Sequence, residues 1–128
     1  MNIPQDLFYS KEHEWCRVDG DTAVIGVTDF AQGELGDVVF LELPEVGDTV
    51  TTGEEFGTIE AVKAVAELFA PVGGEVIEVN AVVIDSPESV NEDPYGNGWM
   101  IKISISDPAE LDALMDSSGY EAMIGEDE

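Results

Sequence analysis

The sequence predicts a mainly β protein. Short runs rich in β-branched and aromatic residues are cut at close intervals by glycine, proline and aspartate, a spacing that favours strands over a helical bundle. The clearest run is "WMIKISI" (99–105), where Trp99, Ile101, Ile103 and Ile105 share one parity and Met100, Lys102 and Ser104 the other. A strand with one buried face requires that alternation, and it assigns Lys102 to the wetter side.

Four further strands are expected at "TAVIGVT" (22–28), "DVVFLEL" (37–43), "GEEFGTIEAV" (53–62) and "GEVIEVN" (74–80). Turn formers such as Asp19-Gly20, Val46-Gly47-Asp48 and Gly73-Gly74 bound them. "TDFAQGEL" (28–35) predicts a short helix begun by Thr28 or Asp29. A C-terminal helix is expected from Asp107 as cap, Pro108 at the first helical position and Glu110 at capping-box spacing. Leu111, Leu114 and Met115 would form its buried stripe, each contributing roughly 1.5 to 3 kcal/mol on full burial. The final "GEDE" reads as a solvated tail. "VGDTV" (46–50) and "VGGEV" (72–76) share Val-Gly-x-x-Val, an echo that either duplication or chance produces.

A chain of 128 residues with 44% hydrophobic residues can bury a substantial core, so residues 1–128 are expected to form one domain. Only Lys11, Arg17, Lys63 and Lys102 oppose 29 acidic residues, giving a formal charge of −25. Such a field repels nucleic acid phosphates and anionic membranes. The acids run from Asp6 to Glu128 rather than forming one tail, which resembles the protein style of a salt-loving prokaryote. A single cysteine, Cys16, permits no internal disulfide, and a single histidine, His13, leaves too few soft ligands for structural zinc. The start "MNIPQDLFYSKEHEW" has neither a basic segment followed by an apolar one nor the arginine richness of a transit peptide. With no bilayer-length apolar stretch, a cytoplasmic setting is expected.

Catalytic readings find little support. In "HEWC" Cys16 could act as nucleophile with His13 as base, but on a strand residues three apart point to opposite faces. Cys16 reads as a packing residue, and His13 as a surface or packing histidine. Carboxylate pairs are too abundant to inform, "DPYGNG" and "DSPESVNED" lack EF-hand spacing, and neither a phosphate-binding glycine loop nor a nucleophile elbow is present. Lys63, in "TIEAVKAVAELFAP" (58–71), has two readings from the residues alone: an ordinary strand lysine, or an attachment point whose long stem and amine suit amide formation with a prosthetic group.

The stretch "GTIEAVKAVAELFAPVGGEVIEVN" resembles the lipoyl-attachment region of glycine cleavage system H proteins. "YSKEHEW" (9–15), "AVIGVTDFAQGELGDVVFLELPEVGDTV" (23–50) and "NEDPYGNGWMIKI" (91–103) are similar to the same family in order and spacing, so the resemblance covers nearly the whole chain. Biotin carriers typically set methionine on both sides of the modified lysine, and lipoyl domains of 2-oxo acid dehydrogenases usually show Asp-Lys-Ala. Here Val62 and Ala64 flank Lys63, with Glu60 before them. The resemblance implies a flattened β-sandwich, the barrel-sandwich hybrid, with Lys63 on a hairpin turn, small helices and a C-terminal helix. It implies lipoate covalently attached to Lys63 and no catalysis by the chain itself. The implied partners are a pyridoxal-phosphate glycine decarboxylase that loads an aminomethyl group, a tetrahydrofolate-dependent aminomethyltransferase that unloads it, a dihydrolipoyl dehydrogenase that reoxidises the arm, and a lipoate-attaching enzyme. Glu14 and Glu67 match positions associated with docking of the loaded arm. A binding β-domain with unmodified Lys63, and a relay that hands lipoate to other enzymes, remain as alternatives.

Overall fold

The computed structural model describes residues 3–127. Among the described residues, nine strands form two antiparallel sheets. The larger contains β1 (Phe8–Tyr9), β2 (Glu14–Asp19), β3 (Thr22–Val27), β9 (Ile101–Ile105), β8 (Gly74–Val79) and β5 (Thr49–Val50), in that spatial order. The smaller contains β4 (Val38–Glu42), β6 (Glu55–Ala61) and β7 (Val65–Phe69). Cys16, Ile25 and Ile103 from the first sheet and Leu41, Ile59 and Leu68 from the second belong to one buried cluster, so the sheets close on a common core as a sandwich. The mainly β expectation and the flattened sandwich are both met.

The opposite face of the large sheet has its own apolar layer, built on Tyr9, Trp15, Tyr95 and Tyr120. Trp15 lies across the ladder from Gly26, where an added Cβ would sit 2.8 Å from the indole. Glycine is required there so that the ring can lie flat on the sheet.

All five strands expected from sequence are present. In β9 the alternation holds for Ile101, Lys102 and Ile103, but Met100, assigned to the wet face, is fully buried. The strand begins only at Ile101, and Met100 donates its N–H to the Ile25 carbonyl at 2.8 Å, outside the regular pleat. The two echo segments are neighbours: Thr49 pairs with Glu75 and Val50 with Gly74.

Helix α1 (Asp29–Leu35) forms as expected, with Thr28 as cap accepting from the Ala31 N–H. Two short helices escaped the sequence reading, α2 (Ala81–Asp85) and α3 (Ser89–Glu92); each is a turn or so long, too short to display helical periodicity.

The C-terminal region differs from expectation. Asp107 does cap, accepting from the Ala109 N–H, but Pro108–Ala113 is a 3-10 helix. Glu110 does not close a capping box; its carboxylate accepts from the Gly73 N–H at 3.0 Å. Met115 is drawn out of any helix by bonding with Tyr9 in both directions at 2.8 Å. The α-helix proper, α4, spans Ser117–Asp127, so most of the segment read as a solvated tail is helical.

Candidate functional site

Lys63 sits at the tip of the β6–β7 hairpin, exposed, between Val62 and Val65, which are 72% and 68% exposed. The tip contains no usual turn residue, and its conformation is imposed from outside. Ala61 donates to the Ala64 carbonyl at 2.8 Å, Val62 to Asp37 at 2.9 Å and Lys63 to Leu35 at 3.3 Å. The carbonyls of Leu35, which ends α1, and of Asp37 just beyond it thus satisfy backbone donors that a free hairpin would leave to water.

Gly36 is central to this cradle. Its φ of +81° is costly for any side chain, and a Cβ there would approach Lys63 Cγ to 3.1 Å and Cδ to 3.2 Å. The lysine stem lies over the bare glycine backbone. Asn91 fastens the loop: it accepts from Val38 N–H at 2.8 Å and donates to the Gly36 carbonyl at 2.8 Å and to Gln32 at 3.0 Å. Neither residue was singled out from sequence. Both appeared there only as parts of stretches shared with a family, 23–50 for Gly36 and 91–103 for Asn91.

Beside the cradle is a cleft of about 300 Å³. Its wall includes Leu35, whose carbonyl holds the Lys63 N–H. Glu14 and Glu67, two of the residues implicated by resemblance, both line it. They differ sharply in environment. Glu67 is exposed on β7, whereas Glu14 is 2% exposed. Ser10 Oγ donates to one Glu14 oxygen at 2.7 Å and the Phe69 N–H to the other at 3.3 Å. Burial outweighs these two bonds, and nearby Glu12 adds to it, so the carboxyl is pushed up to about 8.

His13 is half-buried and packs on aromatic neighbours, as expected, and it also lines the cleft. Its ring is 2.8 Å from the Tyr120 hydroxyl and 4.9 Å from the Phe30 ring. It sits at a φ of +72°, before β2, so strand parity does not govern its relation to Cys16. Cys16 is fully buried in the core and its thiol is pushed up to about 12 by desolvation, which removes it as a nucleophile. Among the described residues no group of His, Cys, Asp or Glu is arranged to hold a metal ion.

A sandwich that presents one lysine at a hairpin tip, with a stem-sized cradle and an adjoining cleft, defines a carrier of a covalently bound group. Residues 7–127 match the family described as glycine cleavage H-protein. The chain is 59% identical over 128 residues to the glycine cleavage system H protein of Anaeromyxobacter sp. (strain K), covering 100% of both. It is 58% identical over 125 residues to that of Carboxydothermus hydrogenoformans, covering 98% of this chain and 96% of the relative. A crystal structure of a glycine cleavage system H protein from Mycobacterium marinum superposes with a TM-score of 0.89 at 39% identity, over 96% of this chain and 99% of the other. The chain belongs to the glycine cleavage H-protein family: it is a non-catalytic lipoyl carrier that shuttles intermediates between the enzymes of the glycine cleavage system.

Proposed function

We propose that residues 1–128 act as a single carrier domain whose lipoate is joined in amide linkage to Lys63, with Glu14 and Glu67 receiving the loaded arm. The observation that carries this is the exposed Lys63 at a hairpin tip, its stem lying on Gly36 and the cleft opening beside it. When bound, lipoate supplies the strained dithiolane that takes up the one-carbon amine and two electrons. The chain supplies position. Leu35 and Asp37 hold the tip, Gly36 lets the stem pass, and the cleft withholds a labile nitrogen from water.

Glu14 is suited to a cationic nitrogen because its carboxyl is already desolvated, so that a neighbouring positive charge favours its ionised form. At contact, in an effective dielectric of about 20, the gross attraction is roughly 4 kcal/mol. Desolvation and ordering of the arm offset most of it, which leaves docking weak enough for a shuttle. The partners we assign are the glycine decarboxylase, the aminomethyltransferase, the dihydrolipoyl dehydrogenase and the lipoate-attaching enzyme, in the cytoplasm. No helix among the described residues is long and apolar enough to cross a membrane.

Lys63→Arg tests the attachment. Arginine keeps the charge and approximate length but cannot form the amide. It should leave the melting temperature near that of the wild type while abolishing both lipoate incorporation and glycine-dependent CO2 release in a system rebuilt with the partner enzymes. Lys11→Arg and Lys102→Arg should retain both. Lipoate carried by Lys63→Arg, with CO2 release, would refute the assignment.

A further inference from the structure

The deepest polar cluster outside the hairpin joins the C-terminal helix to the cleft. Thr28, fully buried, caps α1 by accepting from the Ala31 N–H at 3.2 Å, and its hydroxyl is 2.7 Å from that of Tyr120 on α4. The Tyr120 hydroxyl is in turn 2.8 Å from His13 Nδ1. The Tyr120 ring is itself fully buried and stacks on Tyr9 at 4.8 Å and 10°.

Only one direction of this chain uses every proton. If His13 donated to Tyr120 and Tyr120 to Thr28, the Thr28 proton would have no acceptor in a site sealed from solvent, and a buried orphan donor is costly. If Thr28 donates to Tyr120 and Tyr120 to Nδ1, each hydroxyl gives once and Nδ1 accepts. Burial also raises the Tyr120 phenol, keeping its proton in place. A neutral imidazole that accepts at Nδ1 carries its proton on Nε2.

We propose that Tyr120 is a positioning residue for the arm cleft: through the relay from Thr28 it locks His13 as the Nε2–H tautomer in the wall beside Glu14. The proposal rests on the carrier reading in giving the cleft its occupant. His13 is held at both ends, since its carbonyl also accepts from the Thr28 N–H at 3.1 Å. The C-terminal helix, more than a hundred residues away in sequence, thereby sets the shape and hydrogen-bonding pattern of the cleft wall.

His13 is the only histidine, so long-range 1H–15N spectra of the labelled protein read its tautomer without assignment. At pH 8 the wild type should show protonated Nε2 and unprotonated Nδ1. Tyr120→Phe keeps the stack on Tyr9 but removes the relay, and its histidine should no longer hold that pattern of protonated Nε2 and unprotonated Nδ1. At equal lipoate content, checked by intact mass, the loaded arm should lose its one-carbon amine to water about fivefold faster, the effect of one net hydrogen bond. His13→Gln should shorten the lifetime similarly, and the double variant no further, because the two act in series. A wild-type Nδ1–H tautomer, an unchanged lifetime in Tyr120→Phe, or additive effects would each overturn the proposal. The tautomer is read without lipoate and attachment is read by mass, so failure of the carrier reading would be seen separately.

Discussion

Glu14 makes the stability of this protein depend on pH in a direction opposite to that of a salt-bridged carboxylate. Below about pH 4.5 the group is neutral in both the folded and unfolded chain. Between there and about 8 the unfolded chain releases the proton while the folded protein keeps it, so stability falls as pH rises. Above about 8 both forms are ionised and the penalty is constant. Raising the group from 4.5 to about 8 corresponds, at about 1.4 kcal/mol per pH unit, to a penalty on the order of 5 kcal/mol. Glutamine has the same size but cannot ionise, and like the neutral carboxyl it offers one carbonyl acceptor and one donor group to Ser10 and the Phe69 N–H. Glu14→Gln should therefore be close to wild type in stability at pH 4.5 and more stable at pH 9, by on the order of 5 kcal/mol. Urea titrations at pH 4.5, 7 and 9 measure this. Taking the difference between the two proteins removes the contribution of the other acids, which they share. A difference that stays constant across that range would refute the account of a buried, neutral Glu14.

Other consequences concern the arm, its cradle and the charge. Glu14→Gln and Glu67→Gln should accept lipoate normally but release the one-carbon amine to water faster, which the lifetime of the loaded protein without transferase records; unchanged lifetimes in both and in the double variant would reduce them to ordinary acids. Gly36→Ala forces a side chain into a left-handed backbone and against the Lys63 stem, so it should cost about 1 to 3 kcal/mol and slow lipoate attachment. Wild-type attachment kinetics in that variant would show that the stem needs no such cradle. At a charge of −25, molar KCl should raise the melting temperature, as the screening length falls from about 30 Å at 0.01 M to about 3 Å at 1 M. Equal or lower stability in molar salt would remove the salt-loving reading without touching the carrier function.

Much of the candidate site was readable because local chemistry and a long shared pattern coincide there. Thr28 offers a cap acceptor and α1 follows; the Ile101 and Ile103 alternation names a strand, and β9 lies mid-sheet with both residues buried. Lys63, Glu14 and Glu67 were named before any geometry, but by resemblance. Their chemistry was not legible residue by residue, since a lysine among valines and two glutamates among 29 acids carry no local mark. The misreadings share one cause. Glu110 and Met115 looked like members of one helix, yet Glu110 is claimed by Gly73 and Met115 by Tyr9, partners that no window of neighbouring residues contains.

By itself the sequence determined the class of fold, the identity of the carrier and its acidity, because alternation, capping, composition and a long shared pattern are properties of the chain alone. Only the tertiary structure decided how the candidate site is arranged. The tip around Lys63 turns because Leu35 and Asp37 reach it from another element. Glu14 becomes a nearly neutral acid because packing removes its water. His13 becomes part of the cleft because Tyr120 arrives from the far end of the chain. Each of these is set by burial and by hydrogen-bond partners distant in sequence, and those come into being only when the chain folds.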